Sequence, residues 1–210
     1  MNRPSFFQLK NGSKAKLPFS DKEYENRLKG LHEIIYKNNL DAVLLTSMQN
    51  IAYYSGFLYC SFGRPYSLVV SDKTNVLVSA NIDASQPWRR CYGENLIYTD
   101  WERNNYLKSI MSLLKNAKKI GIEKDHLTLE RHKNLKDTLD NPELFDIAPQ
   151  VMMKRMVKSK EEIALITSGA KIADIGGEAL VKEIKVGASE IDIAMVGRDA
   201  MEKAIAKFHP

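Results

Sequence analysis

The sequence is poor in the residues that build metal and redox sites. It contains two cysteines, Cys60 and Cys91, and four histidines among 210 residues. The cysteines are not spaced as a zinc pair or a redox motif, so a reducing compartment is the simplest expectation. His126 follows Glu123 and Asp125 after a predicted strand, but a metal site needs three or four converging ligands. We therefore expect a turn at this point, and neither a metal ion nor another cofactor.

Catalytic and targeting motifs are also missing. The chain has no HExxH, GxSxG, P-loop or glycine-rich dinucleotide fingerprint. No apolar run is long enough to span a bilayer, and the start, MNRPSFFQLKNGSKAK, lacks the apolar core of a signal peptide. The net charge of +5 is spread over predicted helices instead of forming one basic stripe. We expect a cytoplasmic protein that binds neither membrane nor nucleic acid, and that holds no complete active site.

The sequence does contain strand patterns that alternate with helix patterns. The run Ala42–Leu45 is short and wholly apolar, as in a strand buried on both faces. Residues 66–70 and 76–79 flank a polar turn and predict a hairpin. Further strands and helices follow as far as Ile147, which predicts an α/β domain with a mixed β-sheet flanked by helices. Residues 149–157, rich in methionine and lysine, predict a bridging segment.

The pattern changes after this segment. Ser159 with Glu162 forms a capping box that opens a long helix with an apolar face, and a further helix follows Gly187. Amphipathic helices are stabilised mainly by packing, yet no strand follows to cover these two. We therefore expect residues 1–157 to form one domain and residues 158–210 to be the incomplete start of a second.

The stretch NIAYYSGFLYCSFGRPYSLVV, residues 50–70, contains the leading candidate for a binding side chain, Arg64. A guanidinium is a planar, permanently charged fork that matches a carboxylate with two parallel hydrogen bonds. Phe62 lies two residues earlier, where its ring would exclude water and strengthen such an ion pair. Two interpretations stand: an ordinary strand connection with a solvated arginine, or a corner that closes over a small anionic ligand.

A second candidate cluster is Trp88, Arg89 and Arg90, in the segment SANIDASQPWRR. Tryptophan and arginine are the residue types most enriched at interfaces, which favours an interface or ligand contact. The other interpretation is a helix start that is held by burial of the tryptophan, with both arginines in solvent. The pattern alone leaves both open.

Five blocks of the sequence resemble the creatinase branch of a family that also includes aminopeptidase P and prolidase. In order, the blocks are NIAYYSGFLYCSFGRPYSLVV, SANIDASQPWRR, NLIYTDWERNNY, IGIEKDHL and MVKSKEEIALITSGAKIADIGG. The resemblance runs from about Tyr24 to the end of the chain. The blocks are long and rich in rare residues, and the peptidase branches do not share FGRPY or QPWRR.

The resemblance implies a ribonuclease H-like N-terminal domain followed by the first helices of a pita-bread catalytic domain. It also implies a homodimeric hydrolase that converts creatine and water to sarcosine and urea without a metal ion. In that branch the phenylalanine and arginine of the matching corner reach across the dimer and close the partner's active site. Phe62 and Arg64 stand at these positions, so the resemblance implies that they bind substrate, with Arg64 on the creatine carboxylate.

The catalytic groups of the family lie in its second domain, beyond the position of Pro210, so we expect the present chain to be inactive by itself. Two alternatives remain. In the first, the parent protein would be an Xaa-Pro peptidase with a similar N-terminal domain. In the second, the chain would be a stand-alone dimerisation or binding module.

Overall fold

The computed structural model describes residues 3–59, 63–83 and 85–209. They form two compact units, Met1–Met156 and Val157–Pro210. The strands of the first unit are β1 (Phe6–Phe7), β2 (Ala42–Leu45), β3 (Ser67–Ser71), β4 (Thr74–Ala80), β5 (Glu94–Tyr98), β6 (Lys119–Ile122) and β7 (Glu143–Asp146). Its helices are α1 (Asp21–Lys37), α2 (Met48–Ser55), α3 (Ser85–Arg90), α4 (Asn105–Leu114), α5 (Leu129–Thr138) and α6 (Ala148–Met156). The second unit contains α7 (Lys160–Glu183) and α8 (Glu190–Phe208).

The strands form one mixed sheet in the order β1-β5-β4-β3-β2-β6-β7. Strands β1 and β3 run antiparallel to their neighbours, whereas the pairs β2/β6, β6/β7 and β4/β5 are parallel. Five strands therefore point the same way, and their C-terminal ends lie along one edge, which we call the carboxyl edge. The predicted mixed sheet is confirmed. In α/β sheets, ligands bind mainly outside the carboxyl ends of the strands.

The core explains why the central strands read as continuous apolar runs. All four residues of β2 are buried, because the strand lies between β3 and β6 and is covered on both faces. The hairpin predicted from residues 66–79 is also confirmed, with β3 and β4 joined by a tight turn at Asp72 and Lys73. Helix α1 packs its apolar side, including Leu31 and Ile35, into the same hydrophobic core.

Two helices were not predicted. Helix α2 begins after Ser47, whose side chain accepts from the backbone N–H of Asn50, and ends at Gly56 with φ of +76°. Helix α6 occupies most of the segment interpreted as a bridge. Both are short, so the helical period has only two or three turns in which to show itself.

The N-terminal arm, which has little pattern of its own, contributes an edge strand. Phe6 pairs with Tyr98 and Phe7 with Ile97 in the antiparallel ladder between β1 and β5. Further along the arm, the ring of Phe19 lies 4.1 Å from the guanidinium of Arg27. That guanidinium is buried, pairs with Glu23 at 2.8 Å and donates to the Tyr53 carbonyl at 2.9 Å. Arg27 therefore joins α1 and α2 to the end of the arm.

Glu123 joins two strands at the carboxyl edge. It follows β6 directly and is 1% exposed. Its carboxylate accepts from the backbone N–H groups of Thr46 and Ser47 at 2.5 and 2.8 Å, from the Ser47 hydroxyl at 2.5 Å, and from the Asn50 amide at 2.6 Å. Because β2 and β6 are parallel neighbours, the residues that follow each strand meet here. A buried carboxylate is tolerated when its oxygens are fully hydrogen-bonded.

Two further side chains extend this network. Arg155 donates to the other end of the Asn50 side chain at 3.2 Å, which connects α6 to α2. His126 Nδ1 lies 3.0 Å from the Thr46 hydroxyl. The backbone N–H of His126 donates to the Glu123 carbonyl at 3.2 Å, so the turn predicted from this segment is confirmed.

The second unit is a pair of helices in close contact. The predicted capping box is confirmed, since Ser159 and Glu162 each accept from the other's backbone N–H. A Cβ added at Gly176 would lie 2.5 Å from Met201 Cγ, so glycine is required for this approach. Apolar side chains remain exposed on α7 and α8: Ile163, Ile166, Val181, Ile191 and Met195. Among the described residues, no helix is long and apolar enough to cross a membrane.

We expect Glu123→Ala to lower the free energy of unfolding by about 3 kcal/mol, because it leaves four buried donors without their acceptor. Glu123→Gln should cost about 2 kcal/mol, since one carboxylate oxygen becomes an N–H donor facing other donors. Glu143→Gln is the control: Glu143 pairs with Lys119 but is 63% exposed, so a change within about 0.5 kcal/mol is expected. Urea unfolding measures all three free energies. Equal losses of stability for the Glu123 and Glu143 variants would contradict the role of Glu123 in joining β2 to β6.

We also expect a chain of residues 1–156 to be more monomeric than residues 1–210. The reason is the set of uncovered apolar side chains on α7 and α8, which favours association between copies. Light scattering over a concentration series measures this. Ile163→Glu in the longer chain should reduce its association towards that of the shorter one. Equal monomer content in the two chains would count against the expectation.

Candidate functional site

A cleft of about 580 Å³ opens at the carboxyl edge of the sheet. Four parts of the chain surround it: the corner before β3, the end of β5 with the loop that follows, α4, and α5 with the turn that precedes it. Residues from these parts that line the cleft include Arg64, Pro65, Tyr98, Asp100, Tyr106 and Arg131. Because the lining combines charged groups with aromatic side chains, the cleft is suited to a small polar ligand.

Arg64 lies on a corner with little packing. The preceding Gly63 has φ of +75°, and a Cβ added there would have no neighbour within 4 Å among the described residues. The Arg64 side chain is 46% exposed, and its Nε lies 3.1 Å from Oδ1 of Asp100. The guanidinium is thus placed at the mouth of the cleft with one carboxylate beside it. The side chain is half-exposed and is not part of the core, and its role in binding stays a prediction.

Tyr98 fixes the backbone of the same corner. Its hydroxyl donates to the Pro65 carbonyl at 3.1 Å, and the residue is 3% exposed. Burial raises the pKa of Tyr98, the nearby Asp100 carboxylate raises it further, and Arg64 opposes the rise. The phenol therefore stays protonated at neutral pH and remains a hydrogen-bond donor to the corner.

The tyrosines of residues 50–70 pack on the core, as the ordinary interpretation of that stretch expects. The rings of Tyr59 and Tyr66 stack with centroids 4.2 Å apart, and Phe57 lies about 6 Å from both. Burial raises the pKa of Tyr59 to about 12, with Tyr106 and Glu123 as further causes. Phe62 lies outside the described residues, so its position next to Arg64 stays a prediction.

The segment Trp88–Arg90 contacts the N-terminal arm of the same chain. Trp88 Nε1 donates to the Gly12 carbonyl at 3.1 Å, and the ammonium of Lys14 lies 3.8 Å from the centre of the indole ring. Arg89 accepts a backbone hydrogen bond from Ala15 at 2.7 Å. Arg89 and Arg90 are exposed. Within the described ranges, none of the three lines the Arg64 cleft, and their role at an interface between chains stays a prediction.

Asp100 and Tyr98 were not identified as candidates from the sequence. The available signal was their position: both lie at the C-terminal end of a predicted strand, where α/β folds place binding groups. Arg64 precedes an antiparallel strand, so its chain enters the sheet at the same edge. The topology brings these residues together although Asp100 follows Arg64 by 36 positions in the sequence.

Sequence comparisons place the first unit in a known family. Residues 27–157 match the sequence model of the Creatinase/Prolidase N-terminal domain. The chain is 47% identical over 203 residues to a creatinase from Bacillus sp. (strain B-0618), a match that covers 95% of this chain and 49% of the relative. An uncharacterized peptidase from Bacillus subtilis (strain 168) is 24% identical over 170 residues, covering 80% of this chain and 46% of the relative. The chain spans about half the length of these curated relatives.

Solved structures share the fold at low sequence identity. The prolidase from Pyrococcus horikoshii OT3 superposes with a TM-score of 0.71 at 21% identity, covering 85% of this chain and 48% of that one. An Xaa-Pro dipeptidase from Bacillus anthracis gives a TM-score of 0.70 at 22% identity, covering 86% of this chain and 49% of that one. With the family match extending over more than half of its residues, the chain belongs to the Creatinase/Prolidase N-terminal domain family.

Proposed function

We propose that this chain is the N-terminal part of a creatinase-like hydrolase that converts creatine and water to sarcosine and urea. In this proposal residues 1–157 supply dimer contacts and cover the partner's active site, and residues 158–210 begin the pita-bread catalytic domain. The observation that carries the proposal is the placement of Arg64: a half-exposed guanidinium at the mouth of a polar cleft, on a corner with little packing. The 47% identity to a creatinase supports the choice of substrate.

The chemistry of creatine explains why one arginine in this domain is useful. The substrate carries a carboxylate at one end and a guanidinium at the other, so it needs a cationic contact and an anionic one. Arg64 offers two parallel N–H bonds to the carboxylate. The acid–base groups that act on the amidine carbon are proposed to lie in the second domain, and no metal or other cofactor is part of the proposal. The homodimeric state and the cytoplasmic location stay predictions.

The alternative is an Xaa-Pro peptidase, which the structural similarity to prolidase and to an Xaa-Pro dipeptidase leaves open at the level of fold. The two activities differ in their dependence on metal ions in this family. Full-length protein treated with a chelator and assayed on creatine and on an Xaa-Pro dipeptide separates them. Chelator-resistant urea release supports the proposal, and metal-dependent dipeptide cleavage supports the peptidase. If the full-length protein shows neither activity, the result favours the stand-alone binding module.

We expect Arg64→Lys in the full-length parent to lower kcat/KM for creatine by about ten- to a hundredfold. A point charge cannot reproduce a planar two-bond contact, and losing a charge-assisted hydrogen bond costs about 1.5–3 kcal/mol. Arg198→Lys is the control, since Arg198 is also exposed and ion-paired, at 2.7 Å from Glu202, but lies on α8 outside the cleft. A lower melting temperature with unchanged kcat/KM for Arg64→Lys would assign this arginine a purely structural role.

The present chain of 210 residues should release no urea from creatine, because general acid–base catalysis needs a proton carrier held at the reacting centre. In the proposal that group belongs to the second domain. The assay compares purified chain with a heat-inactivated sample and with the full-length parent at the same molar concentration. Urea release by the native chain above the inactivated sample would overturn the assignment of the catalytic groups.

A further inference from the structure

Asp100 stands on a firmly held piece of backbone. The preceding Thr99 is 2% exposed, and its backbone N–H donates to the Ser5 carbonyl at 2.9 Å. The Thr99 hydroxyl donates to the Pro4 carbonyl at 2.8 Å, and the amide of Asn105 donates to the Thr99 carbonyl at 3.2 Å. The arm on one side and α4 on the other therefore fix the chain next to Asp100.

Among the residues that the structure describes, Arg64 has no comparable support of its own. The corner is held by the Tyr98 hydroxyl on the Pro65 carbonyl, which constrains the backbone but not the long side chain. An arginine side chain left in solvent samples many rotamers, and ordering it before binding reduces the entropy lost on binding. The ion pair with Asp100 restricts the Arg64 head group.

The contact uses a particular side of the guanidinium. The closest approach is between Nε and Oδ1 of Asp100, at 3.1 Å. A guanidinium has a side edge that includes Nε and a terminal edge formed by its two Nη groups. A carboxylate at Nε therefore leaves the terminal pair of Nη groups for a second carboxylate.

We infer that Asp100 is the positioning residue for Arg64: it holds the guanidinium at Nε so that the terminal Nη pair faces an incoming carboxylate. The inference rests on the proposed function of Arg64 and adds to it a residue that does not touch the substrate. It also makes the end of β5 the support for residues 64 and 65, since Tyr98 holds the Pro65 carbonyl and Asp100 holds the Arg64 head group.

Asp100 could also act as a competitor for Arg64 instead of a positioning residue, and the two roles predict opposite changes in KM. A fixed negative charge beside the site repels a substrate carboxylate and competes with it for Arg64. Removing that charge would then lower KM for creatine. If Asp100 instead orients Arg64, its removal raises KM, because the Arg64 guanidinium is no longer held in the binding geometry before the substrate arrives. The direction of the change in KM therefore distinguishes a positioning residue from a competing one.

The test is Asp100→Asn in the full-length parent, which keeps the size of the side chain and removes its charge. KM for creatine should rise about three- to tenfold, in keeping with the modest strength of a half-exposed ion pair, while kcat stays within about twofold. Hydrolysis of N-methylguanidine, which lacks the carboxylate, should be unchanged relative to the unsubstituted enzyme. Glu94→Gln is the control, because Glu94 lies at the other end of β5 and is similarly exposed and ion-paired, with Lys10 at 2.8 Å.

The double variant Asp100→Asn, Arg64→Lys should be no worse on creatine than Arg64→Lys alone, because both changes remove the same oriented fork.

The outcomes separate this inference from the proposed function. If Arg64→Lys leaves creatine kinetics unchanged, the proposed function of Arg64 fails. If Arg64→Lys lowers kcat/KM but Asp100→Asn leaves KM unchanged or lowers it, the positioning role is overturned and the proposed function stands. A rise in KM for creatine that appears equally for N-methylguanidine would also overturn it, since a general structural defect would then explain the effect.

Discussion

The buried carboxylate of Glu123 is the interaction on which the geometry of the carboxyl edge depends. It accepts hydrogen bonds from the two residues that follow β2 and from Asn50 in the first turns of α2. An ionised carboxylate taken out of water is costly, and only a full set of donors offsets that cost. The four donors can converge only when β2 and β6 are parallel neighbours in register. The network therefore selects one pairing of strands and one starting direction for α2.

The binding groups follow from the same edge. Once the five parallel strands are aligned, the segment after β5 and the corner before β3 lie side by side, although they are far apart in sequence. Tyr98 and Asp100 then contact the corner that carries Arg64. The rigid strand end thus supports a corner with little packing, an arrangement typical of binding residues presented by a stable scaffold.

Two arginines of this domain show how environment separates a structural role from a binding role. Arg27 is 5% exposed, pairs with Glu23, donates to a backbone carbonyl and stacks on aromatic rings, so its charge is used within the fold. Arg64 is half-exposed, with an ion pair to Asp100 through Nε. An exposed pair of this kind contributes little to stability, about 0–1 kcal/mol. In our proposal, the ion pair serves to orient the Arg64 guanidinium at the mouth of the cleft.

The sequence by itself determined the local structure. The apolar run of β2, the hairpin of β3 and β4 and the capping box of Ser159 depend on neighbours within a few residues, so their patterns were sufficient to predict them. Arg64 was recognisable as a candidate for the same reason, because the residue type and the glycine and proline of its turn lie within one short stretch of the sequence. The short helices α2 and α6 were missed because two or three turns show too little periodicity.

Only the tertiary structure decided which distant residues meet. Glu123 contacts Thr46 across 77 positions, and the partnership of Arg64 with Asp100 depends on the order of strands β5, β4 and β3 in the sheet. The same holds for the arm, whose edge strand and contacts with Trp88 require β5 and α3 to be in place. Strand order is set by burial and hydrogen bonding over the whole domain, which no local pattern encodes.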